Sequence, residues 1–134
     1  MILVVCLDDG NGMGFNRRRQ SQDRLLRADL LREAAGRAVW MSPYTRAQFP
    51  DPPETLCTAE DPLDRAGPGE LCFAETADPA PWAARVEEIV LYRWNRRYPA
   101  DLRFTLPLEG WTLVRREEFA GSSHEKITKE VYRR

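Results

Sequence analysis

Two polar tracts hold most of the side chains in this chain that are able to do chemistry. Asp23 closes the run Arg17-Arg18-Arg19-Gln20-Ser21-Gln22-Asp23, and His124, the only histidine, sits in Ser122-Ser123-His124-Glu125-Lys126. A carboxylate that faces a ligand ring holds it by charge-assisted hydrogen bonds or handles a proton. That work needs partial burial and a raised pKa. At the start of a helix the same acid only complements the macrodipole. His124 is open to two readings as well: a hydrogen-bonded turn residue, or a proton-transfer or gating group if its loop folds over the amino-terminal one. Asp23 and His124 are the candidate catalytic pair.

Basic residues form two groups around these tracts. Arginine suits bidentate capture of carboxylate or phosphate, so Arg17, Arg18 and Arg19 can be either a solvated loop or an anion clamp. Arg93, Arg96 and Arg97 flank Trp94 and Tyr98. That grouping fits an anionic ligand with a flat ring, such as a nucleotide, and equally fits arginine stems lying along apolar surface. Asp8-Asp9 reads as an Asx turn or as a metal pair. With one histidine and no CxxC among Cys6, Cys57 and Cys72, no metal site is expected. A zinc-dependent ribonuclease is excluded on the same chemistry, because one histidine cannot supply its ligands. GxSxG, P-loop and GxGxxG motifs are absent.

Elements must position these groups. The run Ile2-Leu3-Val4-Val5-Cys6-Leu7 reads as a strand buried on both faces, and it breaks into a loop, Asp8 to Asn16, with three glycines in five positions. A helix is expected over residues 22–35, with Ser21 as N-cap and Gly36 as its stop. Short strands follow at 38–41, 55–58 and 71–74, with a turn or short helix from Ser42-Pro43 to Phe49. A short helix over 79–88, a strand over 89–94 and a hairpin of 111–115 with 126–132 complete the reading. Helices and strands alternate and an antiparallel hairpin closes the chain, so the fold class is α/β, a mixed sheet flanked by helices.

The bulk properties fit one domain over residues 1–134 in a cytoplasmic protein. Charges nearly cancel, 20 basic against 21 acidic, so nothing global points to nucleic acid or to a membrane surface. No apolar run approaches the roughly 20 residues that span a bilayer. The amino terminus lacks a secretory signal, and the three cysteines read as small buried hydrophobes.

This order of elements resembles dihydrofolate reductase. The strand at Ile2 to Leu7, the aspartate and the Gly12-Met13 loop, Asp23 near the first helix, and Arg37 to Thr45 with its phosphate-contacting turn all carry the likeness. So do Ile89 to Trp94, Asp101, Phe104, Trp111 to Glu118 and Ser123-His124. The resemblance implies a three-layer, mostly parallel sheet and a pocket for a flat heteroaromatic or nucleotide-like ligand. It implies that Asp23 binds or protonates the ring and that Asn11, Met13, Phe15, Asn16, Arg19, Gln20 and Trp94 surround it. Thr45 and Arg93 would meet the phosphates of NADPH. Two departures sit on the cofactor side. Glu75-Thr76 stands where the family has a tandem glycine, and Pro43 replaces the arginine of the phosphate turn. A carboxylate at that point repels a pyrophosphate. The readings therefore divide between an NAD(P)H-dependent reductase with a degenerate cofactor site and a binding or regulatory protein that kept the fold and lost reduction.

Overall fold

Strand β1 (Ile2–Leu7) has apolar side chains at both parities, and successive side chains of a strand point to opposite faces. Such a strand must be interior. Ile2 and Val4 enter one apolar cluster and Leu3, Val5 and Leu7 the other. In the computed structural model, which describes residues 1–134, β1 pairs in parallel with β6 (Leu71–Phe73) on one side and β7 (Glu88–Arg93) on the other.

The remaining elements are β2 (Gly12–Phe15), β3 (Arg18–Arg19), α1 (Arg24–Ala34), β4 (Val39–Met41), α2 (Pro43–Arg46), β5 (Leu56–Thr58) and α3 (Pro62–Arg65). A 3₁₀ turn (Ala80–Arg85), β8 (Leu102–Arg103), β9 (Thr112–Phe119) and β10 (Ile127–Arg133) follow. The main sheet runs β5-β4-β6-β1-β7-β10-β9. From β5 to β7 every pairing is parallel, and β10 then pairs antiparallel with both β7 and β9. This is the expected mixed, mostly parallel α/β sheet with a closing antiparallel hairpin. No helix is long and apolar enough to cross a membrane.

Helix α1 covers one face through Leu26, Leu30 and Ala34, one residue per turn. Its neighbours on that stripe carry charge. Lys129 Nζ of β10, buried beneath the helix, lies 2.8 Å from Asp29 Oδ2 and 2.6 Å from Glu33 Oε1. Tyr92 Oη of β7 donates to Asp29 Oδ2 at 2.6 Å. Burial opposes charge on Asp29, but the bonds from Lys129 and Tyr92 prevail and lower its pKa. One ammonium thus holds two carboxylates in place, and this network fixes the helix on the sheet.

Several local expectations are corrected. Residues 12–15 are not loop: β2 and β3 form a hairpin closed by Asn16 and Arg17, both at positive φ (54° and 62°), and β8 extends it to a second sheet, β3-β2-β8. Two adjacent positive φ values are the signature of a type I′ turn, which suits asparagine and seldom accepts arginine. The N-cap of α1 is Asp23, not Ser21, and Ala35 (φ 51°) takes the left-handed cap one residue before Gly36. The segment over 79–88 winds as a 3₁₀ turn of six residues, and helix α3 occupies a stretch that reads as loop.

Candidate functional site

Asp23 spends its oxygens on structure. Its Oδ1 accepts from the N–H groups of Leu25 (2.9 Å) and Leu26 (3.0 Å), the first free donors of α1. Its Oδ2 accepts from the Ser123 N–H (2.7 Å) and lies 2.9 Å from Ser123 Oγ. The residue is 2% exposed. Burial disfavours its charge, but the Ser123 and Leu26 donors outweigh that and hold the carboxyl well below the usual carboxylate range. Gly121 is required beside it, because a Cβ there would collide with Asp23 Oδ2 and come within 2.7 Å of Ile127 Cδ1.

His124 continues the same chain of bonds. Ser123 Oγ lies within hydrogen-bond distance of Asp23 Oδ2, of the Gln22 carbonyl (2.8 Å) and of His124 Nδ1 (2.7 Å). The other ring nitrogen, Nε2, is hydrogen-bonded to Tyr98 Oη at 2.7 Å. The ring stacks on Trp94 with centroids 4.5 Å apart. Burial, then the positive charge of Arg96, lowers the His124 pKa against the pull of Asp23. At neutral pH the ring is uncharged, 4% exposed and bonded at both nitrogens. Asp23, Ser123, His124 and Tyr98 together clasp the start of α1, the β9–β10 turn and the segment after β7.

The open chemistry lies elsewhere, beyond the carboxyl ends of β4 and β6, where sheets of this kind place their ligands. Glu75 follows β6 and stands between two chambers. The larger, about 500 Å³, is lined by Gly14, Arg17 and Arg18 of the hairpin, Tyr44 of α2, Glu75, Thr76, Asp101 and Leu102. The smaller, about 230 Å³, lies between Ser42, Phe73, Ala74, Glu75, Trp82 and the acidic stretch Glu60-Asp61-Pro62-Leu63-Asp64.

Glu75 is only 9% exposed. Its Oε1 accepts from Arg19 Nε (3.1 Å) and Gln48 Nε2 (3.1 Å), and its Oε2 lies 3.2 Å from the same Arg19 nitrogen. Burial raises its pKa, and Arg19, the Thr45 hydroxyl and Gln48 only partly offset that. A buried carboxylate between two cavities is the arrangement that marks binding and proton-handling sites. The Arg19 guanidinium lies flat over Tyr44, 4.1 Å from the ring centroid, and Nη2 donates to the Tyr44 carbonyl at 3.0 Å.

The residues singled out in the sequence do not form one constellation. Asn11 and Arg93 line a different cavity, of about 620 Å³, against Phe104, Leu106 and Leu108, where Arg93 pairs with Glu130 at 2.9 Å. Phe15, Asn16, Arg19 and Gln20 line a fourth, of about 300 Å³, with Tyr98 and Pro99. Met13 is buried in the core and Thr45 lies behind Glu75, its amide capped by Ser42 Oγ. Trp94 is covered by His124. Glu75, Tyr44, Thr76 and Asp101 were not singled out as ligand groups. The signal for Glu75 was present: a carboxylate directly after an interior strand, where the family has glycine.

No sequence-family profile and no curated protein matches this chain. Among solved structures it is similar to the dihydrofolate reductase of Enterococcus faecalis complexed with NADP(H) and RAB-propyl. The TM-score is 0.72 at 9% identity, over 99% of this chain and 95% of that one. The molecule therefore has the dihydrofolate reductase fold, in a strongly diverged form.

The residues present do not fit the pyrophosphate of such a cofactor. The smaller chamber is lined by Glu60, Asp61, Asp64 and Glu75 and by no lysine, arginine or histidine. Arg65 pairs with Asp61 at 3.3 Å from outside the lining. Helix α2, the turn that the resemblance assigns to phosphate contact, has four residues and begins with Pro43, which lacks an N–H, while Ser42 already caps Thr45. Like charges in such a cleft repel a dianion.

Proposed function

We propose that this protein is a cytoplasmic ligand-binding or regulatory member of the dihydrofolate reductase fold whose larger chamber takes a flat, nucleotide-like ligand without hydride transfer. The observation that carries the reading is the lining of that chamber: an aromatic ring (Tyr44), a buried carboxylate (Glu75) and two guanidinium groups with no side-chain acceptor (Arg17, Arg18) around about 500 Å³. A ring face, a ring edge and an anionic tail each find a partner there. The volume lies in the range of small-ligand sites, roughly 300–1,000 Å³. Two facts weigh against reduction. Asp23 is held ionised by four donors, so it has no proton to give at neutral pH. The chamber on the cofactor side is acidic.

Reduction is the second reading, favoured by the NADP(H)-complexed neighbour. Titration separates the two. Binding of purine mononucleotides and of NADPH is followed by calorimetry, and NADPH absorbance is recorded with dihydropterin substrates. Saturable mononucleotide binding lost in Arg17→Ala/Arg18→Ala, with NADPH absorbance unchanged, is the expected result. NADPH consumption that disappears in Asp23→Asn would overturn the proposal.

A further inference from the structure

The main sheet ends in two edges, and they are built differently. Strand β5 at one edge has three residues, Leu56–Thr58. Strand β9 at the other has eight, Thr112–Phe119, and each of them up to Glu118 is exposed. Its inner side pairs with β10, while its outer side presents backbone N–H and C=O groups to no partner strand. A long open edge is a template for another strand, and short length and charged side chains are the usual protection. Strand β9 is not short, and its charges are ordered: Arg115-Arg116-Glu117-Glu118 runs basic, then acidic. Reversed against itself, that order brings opposite signs together. We infer that β9 is the contact strand of a homodimer, pairing antiparallel with β9 of a second copy across a two-fold axis.

The register follows from the strand itself. A two-fold axis normal to the sheet sets one residue opposite its own copy, and residues equally spaced on either side then face each other. The ladder of β9 with β10 is interrupted between Val131 and Tyr132, which pair with Arg115 and Leu113 and leave Val114 as the extra residue. The unbroken stretch is therefore Arg115 to Phe119, and Glu117 is its midpoint. Centred there, Arg116 of each copy lies opposite Glu118 of the other, which gives two cross-strand ion pairs. Both side chains are exposed, and their 2.8 Å contact within one chain shows that they share a face.

The opposite face balances as well. The two Glu117 carboxylates meet at the axis, and Arg115, 3.4 Å from Glu117 in its own chain, flanks them from each copy. Two cations thus answer two anions at the centre. Just beyond, the exposed Val114 side chain comes toward Ala120 of the second copy, so an apolar contact closes each end. This interface is independent of the ligand reading, because no β9 residue lines the larger chamber.

The test is sedimentation velocity of the full chain from low micromolar to several hundred micromolar. Wild type forms a dimer that weakens as salt is added. Arg116→Glu sets a carboxylate opposite Glu118, and Glu118→Arg sets a guanidinium opposite Arg116. Symmetry doubles each mismatch, so either variant alone dimerises about tenfold or more weakly than wild type. An equimolar mixture of the two variants restores the dimer, as a heterodimer, since the acidic edge of one copy meets the basic edge of the other. A folding defect cannot produce that rescue, because mixing changes neither chain. A wild type that stays monomeric throughout overturns the inference, including where the edge captures a strand of another protein. A dimer indifferent to both substitutions, or variants that mixing does not reunite, overturns β9 as the contact.

Discussion

Replacing Asp23 by alanine tests whether this carboxylate is a joint or a catalytic group. The substitution deletes an N-cap, which costs about 0.5–2 kcal/mol. It also strips the Ser123 N–H of its acceptor in a covered position, which costs about 1–3 kcal/mol. The two losses fall on different oxygens, Oδ1 and Oδ2, and together span about 1.5–5 kcal/mol. For a chain of this size that lowers Tm by roughly 10 °C. Asp23→Asn keeps one oxygen for the cap and turns an amide donor toward Ser123, so it loses about 1–3 kcal/mol. The acid limb adds an internal check. A carboxyl whose folded pKa is depressed contributes its stability fully above the unfolded value, about 3.9, and loses it as pH falls below that toward the folded value. The Tm gap between wild type and D23N therefore closes in strong acid. The assay is thermal unfolding by circular dichroism from neutral pH downward. Tm values for both variants within about 2 °C of wild type would refute the joint.

Two further outcomes follow from buried groups. The folded pKa of His124 lies below its unfolded value of about 6.5, so acidification through that value protonates the unfolded chain first and destabilises the fold. His124→Phe retains the stack on Trp94 and removes this titration; its denaturant midpoint is lower than wild type at pH 7.5, and the portion of the wild-type decline that begins just below pH 6.5 is absent. Lys129→Met leaves Asp29 and Glu33 buried without their cation and costs about 3–5 kcal/mol, read from urea unfolding. Glu33 keeps Arg115 at 2.5 Å and Asp29 keeps Arg32 at 3.2 Å, so the loss falls toward the lower end of that range.

Some of this was legible in the chain and some was not. The parity of Ile2, Leu3, Val4 and Val5 is a local property, and it correctly put β1 in the interior of a parallel sheet. Asp23 was visible as the acid at the head of a helix, since capping needs only near neighbours. Its second pair of bonds, to Ser123, spans a hundred residues and leaves no periodic trace. The hairpin of β2 and β3 was missed because Arg17 at φ 62° is an uncommon turn residue, so the tract read as loop. Lys129 alternates like an exposed charge and only the arrival of α1 buries it. The cleft is the extreme case. Its lining comes from residues 14, 17–18, 44, 75–76 and 101–102, segments that meet only through the sheet order. Among them Arg17 and Arg18 were legible as an anion clamp, and Glu75 only as an obstacle to a cofactor rather than as a recognition group.

The larger chamber, lined by Arg17, Arg18, Tyr44 and Glu75, is where a nucleotide-like ligand must sit. An amide NMR titration of the wild-type protein with GMP reads this directly. The prediction is saturable shifts at Gly14, Arg18, Tyr44, Thr76 and Leu102, with the amides of Asn11, Arg93 and Thr105 unmoved. Shifts confined to the cavity around Asn11 and Arg93, or none at millimolar GMP, would contradict it.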